Sequence, residues 1–257
     1  MALADGRIIS MRNLSKVYAT QDEPLLALRD VTLDVGAGEF VSFVGPSGCG
    51  KSTLLNIVGG LLDRTSGDLW FKGEDQREAR REIGMMFQTP VLFEWRTVVD
   101  NVLLPVEILG LNKSAYRPRA LELLDLTGLK GFEEAYPRHL SGGMQQRAAL
   151  SRVLIYDPEV LLLDEPFGAL DEFTRETMNL ELLRIWTATG KTVVFVTHNI
   201  NEAVFLSDRV VVMTPRPGQI ARIVGVDLPR PRTRDVMKQP AYAETVFEVR
   251  EVLGVAR

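Results

Sequence analysis

The sequence has little cysteine and no long apolar run. Its 257 residues contain one cysteine, Cys49, which excludes an intrachain disulfide and favours a reducing compartment. No segment approaches about 20 consecutive apolar residues, so we expect no helix that spans a membrane. Residues 1–7 also lack the basic start and the apolar stretch of a signal peptide. Such a chain is expected to act at a membrane only through partner proteins.

The sequence also lacks an excess of positive charge. Its formal net charge is −4 and its isoelectric point is about 5.4, whereas proteins that coat nucleic acid usually carry a basic domain. The composition is that of a globular protein, with 25% charged and 46% hydrophobic residues. That hydrophobic fraction is enough for one large core or two subdomains. No internal repeat or low-complexity linker divides the sequence.

Short apolar segments alternate with helical segments, which predicts an α/β fold whose sheet is mainly parallel. Before this core, the polar–apolar alternation over residues 8–35 predicts an antiparallel β subdomain. Continuous apolar runs predict strands that are buried on both faces, and helical periodicity predicts helices among them. The predicted strands are residues 39–44, 160–163 and 192–196, and the predicted helices are residues 51–62, 141–156 and 173–189.

The middle of the chain is predicted to be helical. Residues 97–128 have helical spacing of apolar side chains, and Pro105 and Pro118 are expected to kink or separate the helices there. The whole sequence is predicted to form one domain, with an inserted α-helical subdomain and a tail that ends in a helix. The predicted limits are residues 1–257 for the domain, about 94–153 for the helical subdomain and about 229–257 for the tail.

The tail combines three arginines, at positions 230, 232 and 234, with a helical segment. Apolar side chains of that segment recur at heptad-like spacing, at Tyr242, Val246, Val249 and Leu253. Packing on the same domain is the favoured interpretation of the helix, and a dimer or regulatory contact is the alternative. The arginines are interpreted as part of a solvated connector, with contact to anionic lipid headgroups as the alternative.

A glycine-rich loop joins the predicted strand at 39–44 to a predicted helix, which is the context in which such loops bind nucleotide phosphates. Its glycines permit a tight turn and close approach of backbone N–H groups, and the helix adds positive potential at its N-terminus. Lys51 adds a charge near the β- and γ-phosphates, and Ser52 offers its hydroxyl to Mg²⁺. The predicted nucleotide-binding residues of this loop are Gly45, Pro46, Ser47, Gly48, Cys49, Gly50, Lys51, Ser52 and Thr53.

Acidic side chains and a histidine follow two of the predicted buried strands. Strand alternation is expected to place Asp164 and Glu165 on opposite sides, and so to give them different roles. We predict that Asp164 meets Mg²⁺ and that Glu165 polarises the attacking water as a general base. His198 follows the next buried strand at its carboxyl end, where open α/β sheets bind ligands, and is the predicted contact of the γ-phosphate. The other histidine, His139, is interpreted as structural.

A second anion site is predicted where the helix at 141–156 begins. The segment Leu140-Ser-Gly-Gly-Met-Gln-Gln-Arg147 places a serine and two glycines at the start of this helix. The motif has no evident use within one subunit. Two anion sites for one triphosphate suggest a head-to-tail dimer that encloses ATP.

These motifs, in this order and spacing, resemble those of the ABC transporter ATPase family over nearly the whole chain. The resemblance implies that Tyr18, which ends the segment Leu14-Ser-Lys-Val-Tyr18, stacks on adenine. It implies that Gln88 contacts Mg²⁺ and the attacking water and relays contact with membrane subunits. It also implies that Ser141, Gly142 and Gly143 close on the γ-phosphate held by the other protomer. Asp171, which ends Gly168-Ala-Leu-Asp171, corresponds to a loop that crosses the dimer interface.

Within the family, the chain resembles the ATPases of importers for nitrate, sulfonates and taurine. One departure is Glu94, which precedes Trp95 where that group often has a proline. In the family this region lines the groove that receives a membrane-subunit helix, so the departure leaves the solute open. Importers of thiamine precursors or riboflavin are the alternatives. The segments that carry the resemblance are Leu92-Phe-Glu-Trp-Arg-Thr-Val98, Asn101-Val-Leu-Leu-Pro105 and Val212-Met-Thr-Pro-Arg-Pro-Gly-Gln-Ile220.

The resemblance also implies cofactors, partners and a location. The cofactors are ATP and Mg²⁺. The partners are a second ATPase protomer, taken to be an identical chain, transmembrane permease subunits, and an extracytoplasmic solute-binding protein. The location is peripheral, on the cytoplasmic face of the inner membrane. Coupling of ATP-driven dimer closure and hydrolysis to solute uptake is the implied function.

Two other classes of function are weighed against this one. An ABC-type ATPase of nucleic acid or the ribosome usually carries long coiled coils or a second cassette, and this chain shows neither, so no nucleic-acid partner is expected. A small-molecule kinase with a phosphate loop leaves the motif at Ser141 unexplained.

Overall fold

Two β-sheets organise the part of the chain that the structure describes, residues 6–20, 23–75, 82–168 and 170–254. The structure is a computed structural model. Its strands are β1 (Arg7–Tyr18), β2 (Leu25–Gly36), β3 (Phe40–Val44), β4 (Ser66–Phe71), β5 (Glu74–Asp75), β6 (Ile83–Met86), β7 (Val160–Asp164), β8 (Thr192–Val196), β9 (Arg209–Met213) and β10 (Ile220–Gly225).

The two sheets differ in strand direction. The four-stranded sheet has the order β2-β1-β4-β5 and is antiparallel throughout. The six-stranded sheet has the order β10-β9-β3-β8-β7-β6, and only its β9–β10 edge is antiparallel. All five residues of β3 and of β8 are buried, as expected for central strands covered on both faces. The predicted α/β fold with a mainly parallel sheet and an antiparallel β part is therefore confirmed.

Helices fill the connections between the strands. Every helical segment from residue 98 to residue 154 lies between β6 and β7. The helices are α1 (Lys51–Val58), α2 (Val98–Val102), α3 (Leu104–Ile108), α4 (Lys113–Leu126), α5 (Gly142–Leu154), α6 (Glu172–Thr189), α7 (Ile200–Leu206) and α8 (Pro240–Val252), with short 3₁₀ helices at Pro137–His139 and Arg234–Lys238. None of the helices in the described ranges is long and apolar enough to cross a lipid bilayer.

Two predicted helix boundaries need correction. The helix expected over residues 51–62 ends at Val58, because Gly60 adopts a left-handed φ of 70° that a continuing helix does not allow. Pro118 does not break the chain into separate helices, since it lies inside α4. Pro105 does mark a boundary, because it lies in the first turn of α3, where a missing N–H removes no helical hydrogen bond.

The six-stranded sheet separates two hydrophobic clusters. Successive strand residues point to opposite faces, so Val160 and Leu162 join one cluster while Leu161 and Leu163 join the other. The first cluster contains α1 and the antiparallel sheet, and the second contains the remaining helices. The carboxyl ends of the strands are left open at one edge between these two layers.

The tail is packed onto this core. The side chains of Tyr242, Val246 and Val249 in α8 are buried in the second cluster. The Tyr242 hydroxyl donates to the Asn201 carbonyl oxygen at 3.0 Å. The tail helix thus covers the region where α7 begins.

The tail arginines at 230 and 232 correct a prediction. They form neither a solvated connector nor a free basic surface. Arg230 pairs with Asp208 at 2.7 Å and lies 4.0 Å from the centre of the Trp186 ring. Arg232 is 5% exposed and donates to the carbonyl oxygens at the end of α7. Burial lowers the pKa of Arg232 to about 10. The prediction failed because a basic run does not reveal which carbonyl groups and rings will surround it.

Candidate functional site

The carboxyl ends of four neighbouring strands meet at one edge of the large sheet. In the order β9-β3-β8-β7, they lead into the β9–β10 turn, the glycine-rich loop, His198 and the Asp164-Glu165 pair. The loops at this edge surround a cavity of about 510 Å³. The predicted residues that line it are Tyr18, Ser47, Gly48, Gly50, Lys51, Ser52, Thr53, Gln88, Glu165 and His198. Open α/β sheets bind ligands at this position.

The glycine-rich loop depends on two residues with left-handed backbone. Gly48 has φ 74° and Gly50 has φ 104°. A Cβ on Gly50 would stand 2.6 Å from the Leu28 side chain, so this position also requires the absence of a side chain. Cys49 is buried between them, with 1% exposure. The loop leads directly into α1, whose first residue is Lys51.

Lys51 is a buried cation inside this loop, with 6% exposure. Its ammonium donates to the carbonyl oxygens of Gly45 at 2.8 Å and Pro46 at 3.2 Å. Among the residues that the structure describes, no carboxylate lies within ion-pair distance of it. A buried cation is costly unless a negative group compensates it. The chemistry of this loop therefore fits a polyphosphate.

Ser52, which lines the cavity, is hydrogen-bonded to Asp164, which does not line it. The Ser52 hydroxyl donates to Asp164 Oδ1 at 3.0 Å. Burial is the main cause that raises the pKa of Asp164, and the neighbouring Glu165 raises it further. A divalent cation at this carboxylate would lower the pKa of Asp164 and so oppose both of these effects.

The donor set at this point suits Mg²⁺. Magnesium ions at phosphate sites take only one or two protein oxygens and complete their shell with phosphate and water. In keeping with this, the described ranges contain no group of three or more His, Cys, Asp or Glu side chains arranged to hold a metal without such help. Ser52 and Asp164 are the residues that would hold the ion.

Glu165 does not continue the strand, so strand alternation does not explain why its side chain and that of Asp164 point in different directions. Strand β7 ends at Asp164, and Glu165 has a left-handed φ of 43°. Its N–H donates to the Val196 carbonyl oxygen at 2.9 Å, which holds the turned backbone against β8. The turn directs the carboxylate into the cavity, where Oε2 lies 3.1 Å from His198 Nδ1. The two acidic residues thus occupy different positions because of this turn and not because of strand alternation.

Gln88 and Tyr18 approach the cavity from other elements. Gln88 is the second residue after β6, and its carbonyl oxygen accepts a hydrogen bond from Gln146 Nε2 of α5 at 2.9 Å. The Tyr18 hydroxyl lies 3.2 Å from Thr53 Oγ1, so the ring stands beside the start of α1. Both residues line the cavity.

The predicted second anion site is not part of this cavity. Ser141 caps α5 by accepting from the Met144 N–H at 3.3 Å, and Asp171 caps α6 by accepting from the Thr174 N–H at 3.0 Å. Neither of them, nor Gly142 or Gly143, is among the described residues that line the cavity. A single chain therefore does not bring this motif to the glycine-rich loop.

Several residues of the site were not predicted. Leu25 and Ala27 of β2 and Arg216 of the β9–β10 turn line the cavity. Their signal in the sequence is weak, because only the sheet order shows that β9 lies beside the loop strand.

Glu202 is a further residue that was not predicted. It accepts from the Thr197 hydroxyl at 2.5 Å, next to His198, and burial raises its pKa. Its spacing of four residues from His198 was the available clue.

The comparison with protein families gives a direct match. The model of the ABC transporter family matches residues 28–168. The taurine import ATP-binding protein TauB of Jannaschia sp. is 43% identical, over 94% of this chain and 92% of that protein. The aliphatic sulfonates import ATP-binding protein SsuB of Bacillus cereus is 41% identical, over 88% of this chain and 89% of that protein.

Solved structures agree with this match. The cassette MJ0796, in a dimeric post-hydrolysis state bound to ADP and Pi, has a TM-score of 0.77 and 36% identity over 85% of this chain and 99% of its own. The protein CbiO1 of Clostridium perfringens, part of the transporter complex CbiONQ, has a TM-score of 0.78 and 26% identity over 96% of both chains. The chain therefore belongs to the ABC transporter family, and it is an ATP-binding cassette with ATPase activity.

Proposed function

We propose that the cavity at the strand ends binds ATP with Mg²⁺ and hydrolyses it, and that hydrolysis drives import of a small solute of the taurine or sulfonate type through separate membrane subunits. The observation that carries the chemistry is the convergence of three groups on one cavity. These are Lys51 inside the phosphate loop, Ser52, whose hydroxyl donates to Asp164, and the Glu165–His198 pair.

Each group has a role that follows from its position. The loop N–H groups and Lys51 bind the phosphates, and Tyr18 stacks on adenine. Ser52 and Asp164 would hold Mg²⁺, which would neutralise charge on the β- and γ-phosphates, and Gln88 is assigned a contact with the ion. Glu165 orients the attacking water and accepts its proton. His198 fixes the Glu165 carboxylate through Nδ1 and presents the rest of its ring to the γ-phosphate.

The mechanism requires a second chain. Ser141, Gly142 and Gly143 are displaced from the cavity of their own chain, so they are available to close on ATP held by another protomer. Asp171, which caps α6, also lies outside that cavity and is assigned to the dimer interface. The dimeric MJ0796 structures support this arrangement. ATP then closes the dimer, and hydrolysis with phosphate release reopens it.

The partners and the location follow from the proposed role as the ATPase subunit of an importer. The chain works with transmembrane permease subunits, peripherally on the cytoplasmic side of a membrane, and with a solute-binding protein in the same system. The names of the relatives support taurine or sulfonate as the solute class. Nitrate belongs to the same proposed group, whereas thiamine precursors and riboflavin are not favoured.

The mechanism is tested with Glu165→Gln. We expect ATP hydrolysis to fall by at least about 100-fold, because the water loses its general base, while ATP binding persists. Size-exclusion chromatography with light scattering should then show a dimer that requires ATP and Mg²⁺. Glu176→Gln, which changes an acidic residue of α6 outside this cavity, is the matched control. It should hydrolyse ATP at the wild-type rate and show no stable ATP-dependent dimer, because hydrolysis reopens the dimer. Rapid hydrolysis by Glu165→Gln, or no ATP-dependent dimer, would contradict the mechanism.

The transport role is tested in the native host with the same variant carrying an affinity tag. Membranes are solubilised gently in ATP and Mg²⁺, and the co-purifying proteins are identified. We expect a polytopic membrane protein in about equal amount. Nucleic acid or ribosomes in its place would refute the transport role and leave the ATPase assignment intact.

A further inference from the structure

Arg216 lies on the opposite side of the phosphate loop from the residues assigned to hydrolysis. Strand β3 carries the loop. On one side of it, β8 and β7 end at His198 and at the Asp164-Glu165 pair, and on the other side β9 leads into the turn that holds Arg216. The proposed chemistry uses only the first of these two sides.

The turn that carries Arg216 is held against the rest of the site. Thr214 closes the turn through hydrogen bonds with Gln219, at 2.9 Å between backbone groups and at 3.0 Å through its hydroxyl. Gly218 exchanges two backbone hydrogen bonds with β2. It also lies so close to the Cys49 carbonyl oxygen that a Cβ would overlap it. The fold therefore fixes where the Arg216 backbone stands relative to the phosphate loop.

The guanidinium of Arg216 faces the cavity with donors to spare. Its Nε and Nη2 each donate to the Gly48 carbonyl oxygen at 3.3 Å, so it rests on the outer edge of the loop. A guanidinium carries five N–H donors in a planar fork, which leaves the Nη1 group free to bind another acceptor. Within the described ranges, no carboxylate pairs with Arg216. Its charge is thus uncompensated at the mouth of an anion-binding cavity.

We propose that Arg216 binds the α- and β-phosphates of the nucleotide from this second side. The inference rests on the proposed function, because it takes the cavity as the nucleotide site. Among the described residues that line the cavity, Lys51 and Arg216 are the two permanent cations. Glu165 and His198 mark the γ-phosphate end, and Arg216 stands across the loop from them. Its contact is therefore with the phosphates that ATP and ADP share, as a charge-assisted pair.

The test compares nucleotide affinity of the full-length wild type with that of Arg216→Gln and Arg216→Lys. Binding of ADP and of ATP is measured by isothermal titration calorimetry at low and high salt. Glutamine keeps an N–H donor for the Gly48 carbonyl oxygen but removes the charge. We expect the Kd of Arg216→Gln to rise about tenfold for both nucleotides at low salt, and the difference to shrink at high salt. Arg216→Lys should recover most of the affinity.

The matched control is Arg222→Gln, which removes the same charge from the same hairpin. Arg222 is paired with Glu248 at 2.9 Å and lies outside the cavity, so its loss should leave both Kd values unchanged. The inference is overturned if Arg216→Gln binds ADP as the wild type does, or if it loses affinity for ATP alone. If the wild type binds neither nucleotide and Lys51→Ala makes no difference, the proposed function itself fails.

Discussion

At the residue scale, the site contains charged groups whose burial costs folding free energy in the absence of a ligand. Asp164 is half-buried, and burial together with the neighbouring Glu165 raises its pKa. Lys51 is a buried cation whose hydrogen-bond partners are neutral carbonyl groups. Sites built to bind a charged ligand commonly keep such destabilising groups, because the ligand compensates them.

Asp164→Asn is predicted to stabilise the nucleotide-free protein at neutral pH. Since the pKa of Asp164 is raised in the folded state, folding takes up a proton, and wild-type stability falls as pH rises from the unfolded pKa to the folded one. The variant has no charge to bury, so its advantage should be absent at low pH and complete above the folded pKa. Urea unfolding at several pH values measures this. A stability advantage that decreases with rising pH would contradict the prediction. In the same variant, Mg²⁺-dependent nucleotide binding should weaken.

Gly218→Ala, in the β9–β10 turn, is predicted to shift the neighbouring phosphate loop and weaken its function. A Cβ there would overlap the Cys49 carbonyl oxygen, so the turn or the loop must shift, at about 1–3 kcal/mol. ADP affinity should fall together with stability. Gly225→Ala on the same hairpin has open space around its Cβ and is the control. Chemical unfolding and ADP titration of both variants measure these effects. Equal stability and equal ADP affinity of the two variants would refute the prediction.

At the element scale, side chains at helix ends determine where the site residues stand. Thr97, Asn112, Ser141, Asp171 and Asn199 each cap a helix by accepting a backbone N–H. The last of them begins α7 directly after His198, so the direction of α7 is tied to the site. The opposite end of α7 is held by Arg232 of the tail, through three carbonyl oxygens.

Arg232→Ala is predicted to destabilise the protein by about 2–3 kcal/mol. The change leaves buried carbonyl groups at the end of α7 without their charged donor, which costs more than the loss of a surface contact. Arg234→Ala is the control, because its side chain is 61% exposed and its nearest carboxylate oxygen, on Glu176, is 3.7 Å away. That variant should lose less than about 0.5 kcal/mol. Denaturant unfolding measures both, and equal losses would show that Arg232 has no special role.

At the scale of the whole molecule, one sheet supports both the site and the tail. Its two faces are covered by separate hydrophobic clusters, and α8 belongs to the same cluster as α5, α6 and α7. The tail helix is therefore expected to unfold with the core in a single transition.

Val249→Ala tests this unity of tail and core. Val249 is fully buried, and removing its two methyl groups should lower the free energy of unfolding of the whole chain by about 1–2.5 kcal/mol. Phe247→Ala on the same helix is the control, since that side chain is 54% exposed and should cost within about 0.5 kcal/mol. A separate early transition of the tail in Val249→Ala, with an unchanged main transition, would show that α8 is an independent unit.

The fold class and most of the cavity-lining residues could be predicted from the sequence, because these depend on local patterns. Short apolar runs, such as Val160 to Leu163, specify buried parallel strands, and a glycine-rich loop between strand and helix specifies a phosphate site. Ser47, Gly48, Glu165, His198 and the segment from Gly50 to Thr53 could be chosen in this way and line the cavity, whereas Gly45, Pro46, Cys49 and Asp164, chosen in the same way, do not line it.

Features that depend on neighbours distant in sequence could be recognised only from the folded chain. Only the sheet order places β9 beside β3 and so brings Arg216 to the phosphate loop. The left-handed turn at Glu165, held by the Val196 carbonyl oxygen, determines the position of the Glu165 carboxylate. Strand alternation had predicted a position distinct from that of Asp164, but the turn is its actual cause. The tail arginines look solvent-exposed in sequence, yet the fold surrounds Arg232 with carbonyl groups and stacks Arg230 on Trp186. Local patterns encode the elements, whereas long-range packing determines which side chains share a site.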